Sequence, residues 1–379
     1  MIVHRCVGAR VGLIGNPSDG FGGKTIAALV EDFHASLMLW ESPDLEVIPH
    51  PQFDPFSFSS LDHLAQIAED DGYYGGVRLL YATCKRFHSH CTEAGIRLDH
   101  RNFTIQYDTN IPRQVGLAGS SAIITAALKS LMDFYGVTDR DIPREIQPQL
   151  VLSVETDELG IQAGLQDRVI QVYGGLVYMD FDPEVVAARG HGHYENLDLT
   201  KLPPLWIAYV PHSTECSGKL HNNMRYRFDA GEPQVVAGMR QFARYTDLAR
   251  EALEDGDYAA LGELMNRNFD LRRQLYGDAA LGRHNLEMIE IARAAGLPAK
   301  FPGSGGAVVG IYDEPARLAF AAEAFEQAGY AVQPVTATEE LAPELHTEVA
   351  APRRISSASA GAFHTAVRNG RHEELFVAK

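Results

Sequence analysis

The stretch Ile111-Pro-Arg-Gln-Val-Gly-Leu-Ala-Gly-Ser-Ser-Ala122 decides the reading of this chain. Upstream, Asn102 to Asp108 alternates apolar and polar residues, as a half-buried strand does. Downstream, Ile123 to Tyr135 is almost uninterruptedly apolar and reads as a buried helix. Strand, glycine loop and helix form a phosphate-binding arrangement in outline. Glycine has no Cβ, so its backbone turns sharply and approaches a ligand closely. A helix starting near Ser121 directs free N–H groups and a positive dipole end into the loop. Ser120 and Ser121 offer hydroxyls to phosphate oxygens or to magnesium, although Ser120 would serve equally as an N-cap. No Lys-Ser or Lys-Thr follows the second glycine, which excludes a Walker A motif.

Three other segments matter. Cys6 to Ile14 is strand-like, Gly15-Asn16-Pro17-Ser18-Asp19-Gly20 is a dense turn signal, and Thr25 to Val30 fits strand or helix. Glu155 sits among apolar helical positions, with Asp167 and Arg168 beyond a pair of glycines. Each carboxylate alone reads as a solvated side chain or a helix cap. Lys300-Phe-Pro-Gly-Ser-Gly-Gly306 is a second glycine loop and feeds a strand. Two such loops, one in each half, suggest a ligand gripped between domains. Further strands are expected at 45–50, 176–181, 204–210 and 331–335, with helices over 61–68, 77–94, 150–159 and 315–328. Two or three helices are expected between Pro233 and Gly296.

The length of 379 residues suggests two domains, with a boundary in the Gly-, His- and Pro-rich stretch 183–204. With 33 cationic against 50 acidic residues the formal net charge is −17. So acidic a chain has no general attraction for nucleic acid or anionic membranes. No apolar run approaches the 18 or more residues of a membrane span, and no leader-like segment opens the chain, so a cytoplasmic protein with reduced thiols is expected. Cys84, His88 and Cys91 share one helix face, but no second ligand pair follows at zinc-finger spacing, so thiols on a buried face are expected instead.

The three motifs, taken in order, resemble the signature set of the GHMP kinase superfamily of small-molecule kinases. Arg10-Val-Gly-Leu-Ile-Gly-Asn-Pro-Ser-Asp-Gly resembles its first motif, Pro112 to Ala122 its ATP phosphate loop, and Lys300 to Val309 its third. The resemblance spans about 300 residues and implies an α+β, two-domain GHMP kinase fold. Its N-terminal domain, over 1–195, would be ribosomal protein S5 domain 2-like and bind ATP and sugar. A ferredoxin-like C-terminal domain would cover 196–340, with a tail of unclear role over 341–379.

Within the superfamily the motifs look most similar to kinases of a sugar acid, D-glucuronate, acting on its anomeric hydroxyl. The resemblance implies ATP and Mg2+ as cofactors and a small sugar or sugar acid as partner, and leaves oligomeric state open. Asp167 would be the catalytic base, with Arg168 beside it favouring its ionised form. Pro112, Gly116, Leu117, Ala118, Gly119, Ser120, Ser121 and Ala122 would form the ATP loop. Ser121 and Glu155 would bind the metal. The loop is one residue longer than the common form, so the two serines are interchangeable at this point. Arg10, Asn16, Ser18, Asp19, Arg113, Gly303, Ser304 and Gly305 would face the substrate. A sugar carboxylate calls for a bidentate cation, with Arg113, Arg168, Lys24 and Arg225 as candidates. The alternatives are a GHMP enzyme for another sugar or polyol, an ATP-dependent decarboxylase, or a non-catalytic ligand sensor.

Overall fold

A computed structural model describes residues 1–71, 75–211 and 218–342. Ten strands are placed there: β1 (Ile2–Ile14), β2 (Lys24–Ser42), β3 (Glu46–Ile48), β4 (Asn102–Thr109), β5 (Leu176–Asp180), β6 (His193–Leu197), β7 (Leu205–Tyr209), β8 (Ala299–Lys300), β9 (Ala307–Ile311) and β10 (Ala331–Val335). Twelve helices accompany them: α1 (Leu61–Asp71), α2 (Val77–Glu93), α3 (Gly119–Tyr135), α4 (Gln147–Ser153), α5 (Leu165–Tyr173), α6 (Pro183–Arg189), α7 (Gly218–Asp229), α8 (Pro233–Asp255), α9 (Tyr258–Tyr276), α10 (Asp278–Leu281), α11 (Arg283–Ala294) and α12 (Pro315–Gln327). Cys216 and nearly all of the expected tail, from residue 343 on, lie outside the described residues.

The chain builds two sheets from separate stretches of sequence. In the first, β2 is the spine: β1 pairs with it antiparallel, while β4 and β5 pair with different halves of its other edge. The segment 25–30, open between strand and helix, is therefore strand, and it continues to Ser42. Its later half alternates strictly, with Phe33, Ala35, Leu37 and Leu39 buried. β6 closes this sheet against β5. α3 packs across β1 and β2 and is apolar around most of its circumference, as a helix enclosed by its own domain must be.

The second sheet has the order β10-β7-β9-β8. With helices between β7 and β8 and between β9 and β10, this is the ferredoxin-like arrangement. β7 shows why both of its faces are covered. Leu205 and Ile207 join the core shared with the first sheet, whereas Trp206 and Ala208 join a second core with α9, α11 and α12. Four helices, one of a single turn, occupy the interval 233–294.

Residues 160–175, which glycine interrupts twice, contain α5, and Asp167 and Arg168 lie in its first turn. Cys91 is buried and Cys84 packs on the same core, where burial pushes the Cys84 thiol up to about 12.

The two sheets meet at backbone distance. Gly12 of β1 donates its N–H to the Pro302 carbonyl at 3.1 Å. A Cβ at Gly12 would stand 2.4 Å from that oxygen. Gly12→Ala is therefore expected to destabilise the protein by about 1–3 kcal/mol through overpacking, measured by denaturant unfolding.

Candidate active site

The first glycine loop achieves its shape through left-handed backbone at Gln114, Gly116 and Ala118 (φ 58°, 71° and 65°). Only Gly116 adopts it at no steric cost. A Cβ there would meet the Gly305 carbonyl at 2.8 Å and the Ser304 nitrogen at 3.1 Å. The two glycine loops are thus in direct contact, and residues from both line one cleft of about 400 Å³. Its walls include Arg10, Pro112, Arg113, Gly116, Ser120, Glu155, Asp167 and Ser304.

Arg10 ties these parts together. It is only 5% exposed. Its guanidinium donates to Asp167 Oδ1 at 2.6 Å, to the Gly116 carbonyl at 2.9 Å and to the Pro302 carbonyl at 2.5 Å. All three sequence motifs and the candidate base therefore meet at one side chain.

Glu155 occupies a π-helical turn (Val154–Glu158) that follows α4; such widened turns recur at functional sites. It is 3% exposed and pairs with Arg168, which is 2% exposed and reaches Asp167 Oδ2 at 3.0 Å. Burial opposes the Arg168 charge, but Glu155 and Asp167 outweigh it and hold the guanidinium protonated. Ser120 donates to Glu155 Oε1 at 2.8 Å.

Ser121, the expected metal ligand, is buried and turns its hydroxyl back onto the Ala118 carbonyl at 3.1 Å. The reason is register. α3 begins at Gly119, so the extra loop residue puts Ser120 rather than Ser121 beside Glu155. Leu117 and Ala122 are core residues.

The first motif divides. Asp19 lies beside the site: burial and then the Asp167 charge push its carboxyl up to about 6, against the pull of Arg10. Asn16 and Ser18 are buried in the turn itself. Ser18 donates to the Lys24 carbonyl at 2.9 Å, and Asn16 holds the Phe301 carbonyl at 3.2 Å and the Lys300 ammonium at 2.5 Å. Lys300 is 1% exposed and also donates to the carbonyls of Gly12 (2.8 Å) and Phe301 (2.7 Å). Burial, with Arg272 and Arg10 nearby, pulls its pKa well down.

Of the other candidate cations, Arg113 lines the cleft, whereas Lys24 and Arg225 are not among its lining residues. Lys24 binds both oxygens of Asp247 at 3.0 Å. Arg113 stands over the Phe53 ring, 5.6 Å from its centroid. Arg225 stacks on Phe21 at 4.4 Å and donates to the Gly20 carbonyl.

Two residues escaped the sequence reading. Lys300 opens the third motif, where the sequence shows no role for it. Arg272 of α9, buried beneath the second loop, donates to the carbonyls of Gly303 (2.8 Å) and Ser304 (3.3 Å). In sequence it sits in Asp270-Leu-Arg-Arg-Gln, which looks like an ordinary solvated face.

A glycine loop at a helix N-terminus, facing a second glycine loop across a carboxylate, defines a small-molecule kinase site, and the chain belongs to the GHMP kinase family. The family models described as "GHMP kinases N terminal domain" and "GHMP kinases C terminal" match residues 78–175 and 249–331. The chain is 48% identical to glucuronokinase 1 of Arabidopsis thaliana over 335 residues, covering 88% of this chain and 91% of that one. It is 49% identical to probable glucuronokinase 2 of the same plant, covering 86% and 89%. Among solved structures, Lactococcus lactis galactokinase complexed with galactose aligns with a TM-score of 0.68 at 17% identity, covering 90% of this chain and 95% of that one. Among the described residues, no helix is long and apolar enough to cross a membrane.

Two stability predictions follow from these charges. Arg168→Met leaves Glu155 buried without its counter-charge and is expected to cost about 3–5 kcal/mol in denaturant unfolding. Asp19 has its folded-state pKa raised, so its contribution to stability is full below about pH 4 and is lost as pH rises through about 6. Asp19→Asn is therefore expected to raise the melting temperature at pH 7.5, with the gain vanishing below pH 4.

Proposed function

We propose that the chain transfers the γ-phosphoryl group of ATP to the anomeric hydroxyl of a sugar acid, D-glucuronate, giving glucuronate 1-phosphate and ADP. The observation that carries this reading is Asp167. It lines the same cleft as the glycine loop and Ser120, held there by Arg10 and Arg168. The names of the two plant relatives support the choice of acceptor.

Phosphoryl transfer asks for positioning and charge stabilisation rather than covalent work by the protein. The N-terminus of α3 and the backbone N–H groups around Gly116 and Gly119 cradle the triphosphate. Asp167 accepts the proton of the anomeric hydroxyl as its oxygen forms the new bond to phosphorus and the bond to ADP breaks. Arg10 fixes the carboxylate's orientation, and Arg168 fixes it from the other oxygen. Gly303 to Gly305 close the cleft from the second sheet.

Glu155 and Ser120 are a hard-oxygen pair on the cleft wall and fit a magnesium ion, which prefers such ligands and keeps several waters. They would hold the ion there, and when bound it would supply positive charge against the phosphate oxygens. The remaining Glu155 oxygen stays with Arg168, which keeps the carboxylate from rotating away.

Asp167→Asn is expected to lower kcat on glucuronate by about 10²–10⁴-fold, measured as ADP release, while ATP affinity by calorimetry is unchanged. Full activity in that variant would overturn the assignment of the base. A panel of neutral sugars and polyols in the same assay tests the acceptor class.

A further inference from the structure

The guanidiniums of Arg10 and Arg168 are each matched by carboxylates, Asp167 and Glu155. Arg272 is different. It is 3% exposed, and among the described residues no carboxylate lies within ion-pair distance of it. Its hydrogen bonds go to the Gly303 and Ser304 carbonyls, and its face lies against the rings of Phe301 (5.1 Å) and Tyr276 (5.4 Å). Its Nε is buried and has no hydrogen-bond partner among the described residues. One helical turn further along α9, the Tyr276 hydroxyl is buried and equally without a partner. A buried cation without a counter-charge is costly, and so is each orphaned donor.

These groups lie beneath the second glycine loop, whose Ser304 lines the cleft. Arg272 holds Gly303, where a Cβ would stand 2.3 Å from the Gly116 carbonyl oxygen and 2.7 Å from the Arg10 guanidinium. Arg10 in turn holds Asp167. Asp19 lies within electrostatic reach of both Arg272 and Tyr276. Of the other cations, Lys24 is held by Asp247 and Arg225 by the Gly20 carbonyl, while Arg113 lines the cleft beside Phe53.

We propose that Arg272 and Tyr276 recognise the carboxylate of the acceptor, a claim that rests on the sugar-acid reading above. A carboxylate is acceptor-only and planar, and it takes one hydrogen bond from a guanidinium N–H and another from a phenol O–H. It supplies the missing counter-charge and satisfies both orphaned donors at once. Without such charge matching, a sugar acid brought beside Asp167 and Asp19 would be repelled. A neutral sugar leaves the two donors unpaired, which is the arrangement that discriminates most strongly.

The test uses the full chain with Tyr276→Phe and Arg272→Lys. Steady-state kinetics are run with glucuronate and ATP, with glucuronamide as the uncharged competitor. Tyr276→Phe removes one hydroxyl and leaves the loop contacts of Arg272 intact, so it carries the test even if Arg272→Lys does not fold. The KM for glucuronate is expected to rise about tenfold or more, with kcat and the KM for ATP unchanged. The wild-type preference for acid over amide is expected to shrink by the same factor. An unchanged KM, or equal weakening of acid and amide, would overturn the proposal. A wild-type protein inactive on glucuronate would overturn the sugar-acid reading and this inference with it. Wild-type turnover with an indifferent Tyr276→Phe would overturn this inference alone.

Discussion

Everything at the site depends on one buried guanidinium. Arg10 leaves the middle of β1, a strand buried along most of its length, and bonds to two loops separated by nearly 200 residues. Its five donors and fixed planar fork suit it to that task. A lysine would offer a single point of charge and could not hold two carbonyls and a carboxylate in one plane. The Gly303 and Gly116 contacts exist because Arg10 draws both loops to the same place, and Asp167 takes its orientation from the same group.

The charge of the molecule follows the same logic. A chain with a net charge of −17 concentrates Arg10, Arg168, Arg272 and Lys300 in one buried junction. Cations there act through less solvent than surface charges do and are less screened by salt. Asp167, Glu155 and Asp19 lie among these cations, so the charges at the junction are matched against one another within an acidic molecule.

Much of this was legible in sequence because the motifs are local. Gly116 to Ala122 shows its turn and helix start within a short span, whereas only the family resemblance singles out Glu155, Asp167 and Arg168, since each alone reads as a solvated side chain or a cap. The long second strand also had its signal, the alternation of Phe33, Ala35, Leu37 and Leu39, but the irregular pairing between Gly8 and Ala9 interrupts it. The serine register was not legible. It turns on Ala118 adopting a left-handed conformation, which alanine rarely does and sequence does not announce. The resemblance alone places Asn16 and Ser18 at the substrate; the partner that draws Asn16 inward, Lys300, lies 284 residues away. Arg272 was hidden for the same reason, since only the fold places α9 beneath the second glycine loop.

The central claim is that this junction delivers a phosphoryl group to an anomeric oxygen. The most direct measurement is the product itself. Protein, magnesium, ATP and glucuronate are incubated, and the mixture is followed by proton and phosphorus NMR. The account predicts stoichiometric ADP and a phosphorus resonance coupled to the anomeric proton of the sugar acid. Phosphate on another oxygen, or ATP consumed without any sugar phosphate, would contradict it.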